Sequence, residues 1–147
     1  MREIILDTET TGLDPKMGHR LVEIGAVELI NHTPTGVNYQ TYINPERDVD
    51  PGAQEVHGLT NEFLKQHPTF GDISAEFIDF LSNSTLVIHN APFDLAFINM
   101  ELNRLGEPSI SSERVIDTLV LARRKFPGAQ ANLDALCRRF AIENRHR

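Results

Sequence analysis

The stretch Ile4-Ile5-Leu6-Asp7-Thr8-Glu9-Thr10-Thr11-Gly12 joins an apolar run to two acidic side chains and ends at a glycine. If residues 4–9 form a β-strand, alternate side chains point to opposite faces, so Asp7 and Glu9 project from one face at the strand's end. Carboxylates that converge in this way can hold two cations about 3.5–4 Å apart. An apolar strand of this kind is typical of a buried sheet, where unpaired carboxylates are costly. The pair therefore predicts a metal site, and a solvated acidic pair is the alternative that the stretch alone leaves open.

The composition indicates one soluble domain. The chain has 147 residues, of which 40% are hydrophobic and 24% charged, as in ordinary globular proteins. No apolar run approaches the roughly 20 residues that cross a bilayer. The lone Cys137, which we predict to be a core residue, fits a reducing compartment. We therefore expect a cytoplasmic protein without a signal peptide.

The net charge of −7 limits how the protein can bind nucleic acid. A protein that wraps nucleic acid by charge alone is basic, because its affinity comes from neutralised phosphates. If the protein handles nucleic acid at all, we expect contacts with only a few nucleotides, assisted by bound cations and a partner protein.

The first half of the chain predicts an antiparallel meander. Strand-like runs cover residues 21–30 and 37–43, with a turn at residues 33–36 between them. Pro45 and Pro51 bracket a connection that we expect to be irregular.

The second half alternates helices with short strands. The spacing of Ile73, Phe77, Phe80 and Leu81 predicts an amphipathic helix. A short helix capped by Thr60 is predicted before the amphipathic one. After it we predict a parallel strand over residues 85–88, a helix over residues 91–104 and a strand at Val115-Ile116. Two further helices are predicted, capped by Asp117 and Asn132, the last with Leu133, Leu136 and Phe140 inward. This order predicts an α/β fold in which one mixed five-stranded sheet is flanked by helices.

Asp94 is the third candidate ligand. Ligands in such folds bind beyond the strand ends, so the end of the first strand and the start of the helix that carries Asp94 should be neighbours. We expect the positive end of that helix to keep Asp94 ionised. An ordinary acid in the first turn of a helix is the alternative. Three oxygen donors without a cysteine or histidine cluster favour Mg²⁺ or Mn²⁺ over zinc.

Four segments together resemble the DnaQ-like 3′-5′ exonucleases of the DEDD superfamily. They are Asp7-Thr8-Glu9-Thr10-Thr11-Gly12, Val56-His57-Gly58-Leu59-Thr60, Val87-Ile88-His89-Asn90-Ala91-Pro92-Phe93-Asp94 and Leu133-Asp134-Ala135-Leu136-Cys137. The resemblance implies a ribonuclease H-like exonuclease domain over residues 1–147 that removes nucleotides from DNA 3′ ends during proofreading. It also implies a single-stranded or frayed 3′ end as substrate and a replicative polymerase catalytic subunit as partner.

The resemblance also implies roles for individual residues. Asp7, Glu9 and Asp94 would be catalytic and would hold two Mg²⁺ or Mn²⁺ ions. Substrate contacts are implied for eight residues: Thr8, Thr11, Gly12, Leu13, His57, His89, Asn90 and Phe93. For His57 and His89 the alternative is a histidine that satisfies loop backbone groups, and we give this alternative more weight at His89.

The chain departs from the family at its end. The family's third motif is a histidine followed on the same late helix by an aspartate, and His146 has no such partner. We therefore do not assign His146 as the general base, and we expect a chain truncated before its last catalytic helix, with disorder near its end. Two further functions stay open: an exoribonuclease of the same fold, and a catalytically incomplete module that binds a polymerase subunit or a 3′ end.

Overall fold

The fold is built on one mixed five-stranded sheet. A computed structural model describes residues 1–143, and its strands are β1 (Arg2–Thr10), β2 (Leu21–Ile30), β3 (Thr33–Tyr42), β4 (Thr85–Ile88) and β5 (Val115–Asp117). The strand order is β3-β2-β1-β4-β5. The first three strands are antiparallel, and β4 and β5 continue the sheet parallel to β1. This arrangement confirms the predicted α/β architecture.

Within residues 1–143, six α-helices connect and cover the strands. They are α1 (Pro51–His57), α2 (Asn61–Leu64), α3 (Phe70–Leu81), α4 (Ala91–Arg104), α5 (Thr118–Lys125) and α6 (Leu133–Arg139). The predicted caps are confirmed, because Thr60, Asp117 and Asn132 each accept a hydrogen bond from a backbone N–H of the first turn. Among residues 1–143 no helix combines the length and apolar character needed to cross a membrane.

The turn between β2 and β3 differs from the prediction. The chain reverses at Asn31 and His32, whose φ angles are 49° and 67°, and β3 already begins at Thr33. The predicted turn at residues 33–36 is therefore wrong. Short polar side chains tolerate the left-handed conformation that a two-residue hairpin turn requires, so the glycine at position 36 was not needed for the reversal.

The connection between Pro45 and Pro51 is irregular, as predicted, but helix α1, which begins at Pro51, was not predicted from the sequence. Pro51 occupies the first helical turn, Asp50 is the N-cap residue, and Gly58 ends the helix in a left-handed conformation. A proline disfavours helix at the preceding residue and in a helix interior, whereas at the first helical position its fixed φ is suitable. The dipeptide Asp50-Pro51 therefore started a helix.

The larger core cluster lies on one face of the sheet, and Val22, Val49 and Leu64 form a second, smaller buried cluster. Helices α3 and α4 cover this face with fully buried side chains that include Phe77, Phe97 and Ile98. On the opposite face Ile5, Val27 and Ile116 are 42%, 36% and 37% exposed. The register aligns them in one row across the sheet, and within residues 1–143 this row stays partly open.

The prediction that α6 packs its apolar residues inward is wrong for two of them. Leu133 and Phe140 are 42% and 52% exposed, and Cys137 is only half-buried rather than a core residue. Phe140 contacts the ring of Phe126, 5.8 Å away between centroids, instead of the sheet. The prediction of disorder near the end and the assignment of His146 concern residues 144–147, which lie outside the described part.

The packing around Phe77 gives a test of the core. Its ring is fully buried and lies 5.9 Å from the Tyr39 ring and 6.2 Å from the Phe70 ring, between centroids. Phe77→Ala should lower the free energy of unfolding by about 3–5 kcal/mol, because a cavity replaces the ring. Urea denaturation checks this value. Ile78→Ala is the matched control, since Ile78 is 37% exposed and its truncation should cost under about 1 kcal/mol. Equal losses for the two variants would contradict the placement of the core.

Candidate active site

A cavity of about 760 Å³ opens where β1 and β4 end. Its walls come from the end of β1 and the loop after it, from α1, from the start of α4 and from the start of α6. It brings together all but one of the residues predicted for the site: Asp7, Thr8, Glu9, Gly12, Leu13, His57, His89, Asn90, Phe93 and Asp94. The exception is Thr11, which is fully buried and is hydrogen-bonded through its backbone to Arg20 and Asp50.

The β1 strand presents its acids as the alternation predicts. Asp7 is exposed and Glu9 half-buried, while Leu6 and Thr8, which alternate with them along the strand, are buried on the opposite face. Asp7 pairs in register with Gly25 of β2, and glycine leaves the space beside the carboxylate free of a side chain. The strand therefore directs both acids into the cavity.

Asp94 is tied to β1 from α4. The Thr8 hydroxyl donates a hydrogen bond of 2.5 Å to Asp94 Oδ1, and the Asp94 residue is only 4% exposed. Burial raises the pKa of Asp94 to about 7; the hydrogen bond from Thr8 lowers it, and the negative charge of Asp7 raises it further. The expectation that the helix dipole keeps Asp94 ionised holds only in part for the protein without metal, because desolvation outweighs the dipole and raises the pKa.

The two histidines of the cavity have different partners. The N–H of Leu59 donates to His57 Nδ1 at 3.0 Å, so Nε2 carries the proton that faces the Thr10 carbonyl oxygen 3.0 Å away. Burial lowers the pKa of His57, and the bond to Thr10 opposes this change. His57 therefore forms hydrogen bonds with the backbone groups of Thr10 and Leu59 while it lines the cavity. From the sequence we gave this role more weight at His89 than at His57. His89 instead places Nδ1 2.9 Å from the Thr118 hydroxyl of α5.

Asp117 fixes the turn between β4 and α4. Its carboxylate accepts hydrogen bonds from the backbone N–H groups of Asn90 and Ala91 at 2.9 and 3.1 Å, and from the N–H of Leu119 at 2.9 Å. One acid therefore caps α5 and also holds Asn90 in its left-handed conformation, with φ of 59°. The sequence predicted only the first of these functions.

Part of the cavity wall, formed by α1 and α6, was not predicted from the sequence. Helices α1 and α6 add Asp50, Pro51, Gly52, Ala53, Val56, Asn132, Leu133 and Asp134 to the cavity lining. The available signal for α1 was Asp50-Pro51, an N-cap residue followed by proline at the first helical position.

The acids of the cavity fit a hard divalent cation. Asp7, Glu9 and Asp94 offer only oxygen donors, the ligands that Mg²⁺ and Mn²⁺ prefer. The raised pKa of Asp94 beside Asp7 shows a buried acid whose charge a cation would stabilise. Within residues 1–143, however, no three His, Cys, Asp or Glu side chains form a ready-made metal-binding group.

Sequence comparison finds related proteins. A family model described as Exonuclease (RNase_T) matches residues 4–147. The chain is 55% identical over 147 residues to DNA polymerase III subunit epsilon of Rickettsia felis, with 98% of this chain and 64% of that protein covered. It is 44% identical over 153 residues to DNA polymerase III subunit epsilon of Escherichia coli, with 99% and 63% covered. The chain thus spans less than two thirds of the length of these relatives.

Structural comparison finds the same architecture. Exonuclease X in complex with 5′ overhanging duplex DNA is 28% identical, with a TM-score of 0.74 over 97% of this chain and 75% of that chain. Exonuclease I without ligand is 17% identical, with a TM-score of 0.86 over 97% and 38%. The second match shows a shared fold.

The environment of Asp94 predicts how stability depends on pH without metal. The unfolded chain releases this proton near pH 3.8 and the folded chain near pH 7, so stability should fall as the pH rises between these values. Asp94→Asn removes the titration and still accepts the hydrogen bond from Thr8. At pH 8 in EDTA it should be more stable than the parent by about 4 kcal/mol, and at pH 4 the difference should nearly vanish.

Thermal and urea unfolding across this pH range measure the difference. Added Mg²⁺ should raise the Tm of the parent and leave that of the Asp94→Asn variant almost unchanged. Parallel pH profiles for the two proteins would contradict the raised pKa.

Proposed function

Because this chain belongs to the exonuclease family whose model matches residues 4–147, we propose that it is a metal-dependent 3′-5′ exonuclease that removes nucleotides from DNA ends. One observation carries the proposal: adjacent parallel strands end together and place Asp7 and Glu9 beside the buried Asp94 in one cavity. Paired acids at an open cavity are what phosphoryl transfer with metal ions requires.

The family is generally dependent on divalent metal ions. We propose that Asp7, Glu9 and Asp94 hold two ions, Mg²⁺ or Mn²⁺. When bound, such ions lower the pKa of the attacking water and stabilise the charge on the leaving 3′ oxygen. The residues of the chain contribute the negative charge that holds the ions, and Thr8 fixes the orientation of Asp94 through their hydrogen bond.

The rest of the cavity is suited to a terminal nucleotide. Leu13 is 85% exposed at the cavity, and Phe93 offers an aromatic surface at the start of α4. Bases stack on such side chains with little dependence on sequence. Stacking also explains how a chain with a net charge of −7 would bind a nucleic acid end, since few phosphate contacts are then needed.

We do not assign His57 as the base that takes the proton of the attacking water. Both of its ring nitrogens face backbone groups, and burial lowers its pKa. A base needs a free nitrogen within reach of the water. The geometry instead gives His57 the role of holding Thr10, at the end of β1, against α1.

The relatives also suggest a setting for this activity. They are named as the epsilon subunit of DNA polymerase III, and we propose that this chain likewise acts in replication beside a polymerase catalytic subunit. Proofreading is consistent with an enzyme that takes single nucleotides from a 3′ end.

The metal-site acids give a direct test of activity. Asp7→Asn keeps the shape of the side chain but removes its charge, so Mg²⁺-dependent shortening of a 5′-labelled single-stranded DNA should fall at least about 100-fold. Rates in Mg²⁺ and in EDTA, read from product ladders on gels, provide the measurement.

Asp79→Asn is the matched control, because Asp79 is exposed on α3 away from the cavity and should retain full activity. Near-normal rates for Asp7→Asn would overturn the metal-site assignment. A parallel RNA oligonucleotide distinguishes the exoribonuclease, and binding without cleavage by the parent protein distinguishes the non-catalytic module.

A further inference from the structure

The ring of His19 lies directly beneath Gly12. A Cβ atom built on Gly12 would lie 2.3–2.5 Å from the atoms of the imidazole, well inside van der Waals contact. The His19 side chain is only 12% exposed, although the loop that contains it connects β1 and β2 at the surface. Glycine at position 12 therefore permits a close approach of backbone and ring.

Two contacts hold the ring in this place. His19 Nδ1 lies 2.8 Å from the Thr11 hydroxyl oxygen, and Nε2 lies 3.4 Å from Asp50 Oδ2. The Thr11 oxygen accepts a hydrogen bond of 3.0 Å from the N–H of Arg20, and the Asp50 carboxylate beside Nε2 favours the tautomer in which the Thr11 hydroxyl donates to Nδ1. The ring proton then resides on Nε2, where the Asp50 carboxylate attracts it.

The same residues connect the walls of the cavity. Thr11 donates its N–H to the Arg20 carbonyl oxygen and accepts the N–H of Asp50, both at 2.9 Å. The Arg20 guanidinium binds the buried carboxylate of Glu101 at 2.6–3.0 Å, and Glu101 belongs to α4, the helix that carries Asp94. The network therefore runs from α1 through His19 and the loop to α4.

We infer that His19 is a positioning residue for the terminal nucleotide, an inference that rests on the proposed exonuclease function. The ring packs against the backbone of Gly12 and so fixes the position of the next residue, Leu13, in the cavity wall. Its contact with Asp50 fixes the N-terminus of α1 on the other side of the same cavity. His19 thereby sets the width of the space in which the nucleotide is bound, without contact with the reacting atoms.

This role predicts a specific kinetic change. His19→Ala should raise the KM for a single-stranded oligo(dT) substrate about tenfold, the effect of losing one or two hydrogen bonds that order a binding loop, and should change kcat less than about threefold. His19→Asn retains a polar atom near the position of Nδ1 and should recover most of the KM, whereas His19→Leu fills the volume without hydrogen bonds and should not.

A double-mutant cycle tests the contact with Gly12. Gly12→Ala alone should raise KM to a similar extent, because its methyl group displaces the ring. In the Gly12→Ala/His19→Ala double variant the methyl group has nothing to displace, so KM should be no higher than in His19→Ala. His32→Asn is the control for loss of a histidine, since His32 is 74% exposed in the hairpin turn at the other end of the sheet.

The outcomes separate this inference from the proposed function. A parent protein that degrades oligo(dT) while His19→Ala lowers only the Tm, with KM unchanged, would show a purely structural histidine and overturn the inference alone. Additive effects of Gly12→Ala and His19→Ala would also overturn it. A parent protein that neither binds nor shortens the oligonucleotide in Mg²⁺ would overturn the proposed function, and the inference with it.

Discussion

The parallel pairing of β1 with β4 is the constraint on which the candidate site depends. Because the two strands run in the same direction, both end at one edge of the sheet, and the acids of β1 meet the helix that follows β4. The hydrogen bond from Thr8 to Asp94 then fixes the distance between strand and helix. Without this pairing the three acids would belong to unrelated parts of the chain.

The buried acid of the site lowers the free energy of unfolding when no cation is bound. Asp94 is buried beside a second acid, and a buried charge without compensation destabilises a protein. The large aromatic and aliphatic core on the α3 and α4 side of the sheet offsets this cost. Instability is thus concentrated at the place where binding of metal ions would relieve it, a pattern typical of functional sites.

Side chains rather than regular structure order the loops around the cavity. Asp117 holds the turn before α4, His57 holds the end of β1, and Thr11 with His19 holds the loop before β2. Each side chain satisfies backbone groups or hydroxyls that would otherwise face solvent or the cavity. Walls held in this way lose little freedom on binding, which favours affinity for a flexible ligand such as the DNA end that we propose as substrate.

The sequence by itself determined the number and order of the strands, the helices α3 and α4 and the common face of Asp7 and Glu9, because these follow from local periodicity. It also supplied most of the cavity lining through the resemblance of four segments to a known family. Only the tertiary structure decided the start of α1 at Pro51, the turn at Asn31-His32, the burial of Thr11 and the raised pKa of Asp94. The first two are local choices that the sequence leaves open, since Pro51 suits a turn as well as a helix. The last two depend on groups far away in the chain, because a carboxyl group titrates according to the water and charges around it. Local sequence patterns do not specify those surroundings, so they emerged only when the strands and helices were packed together.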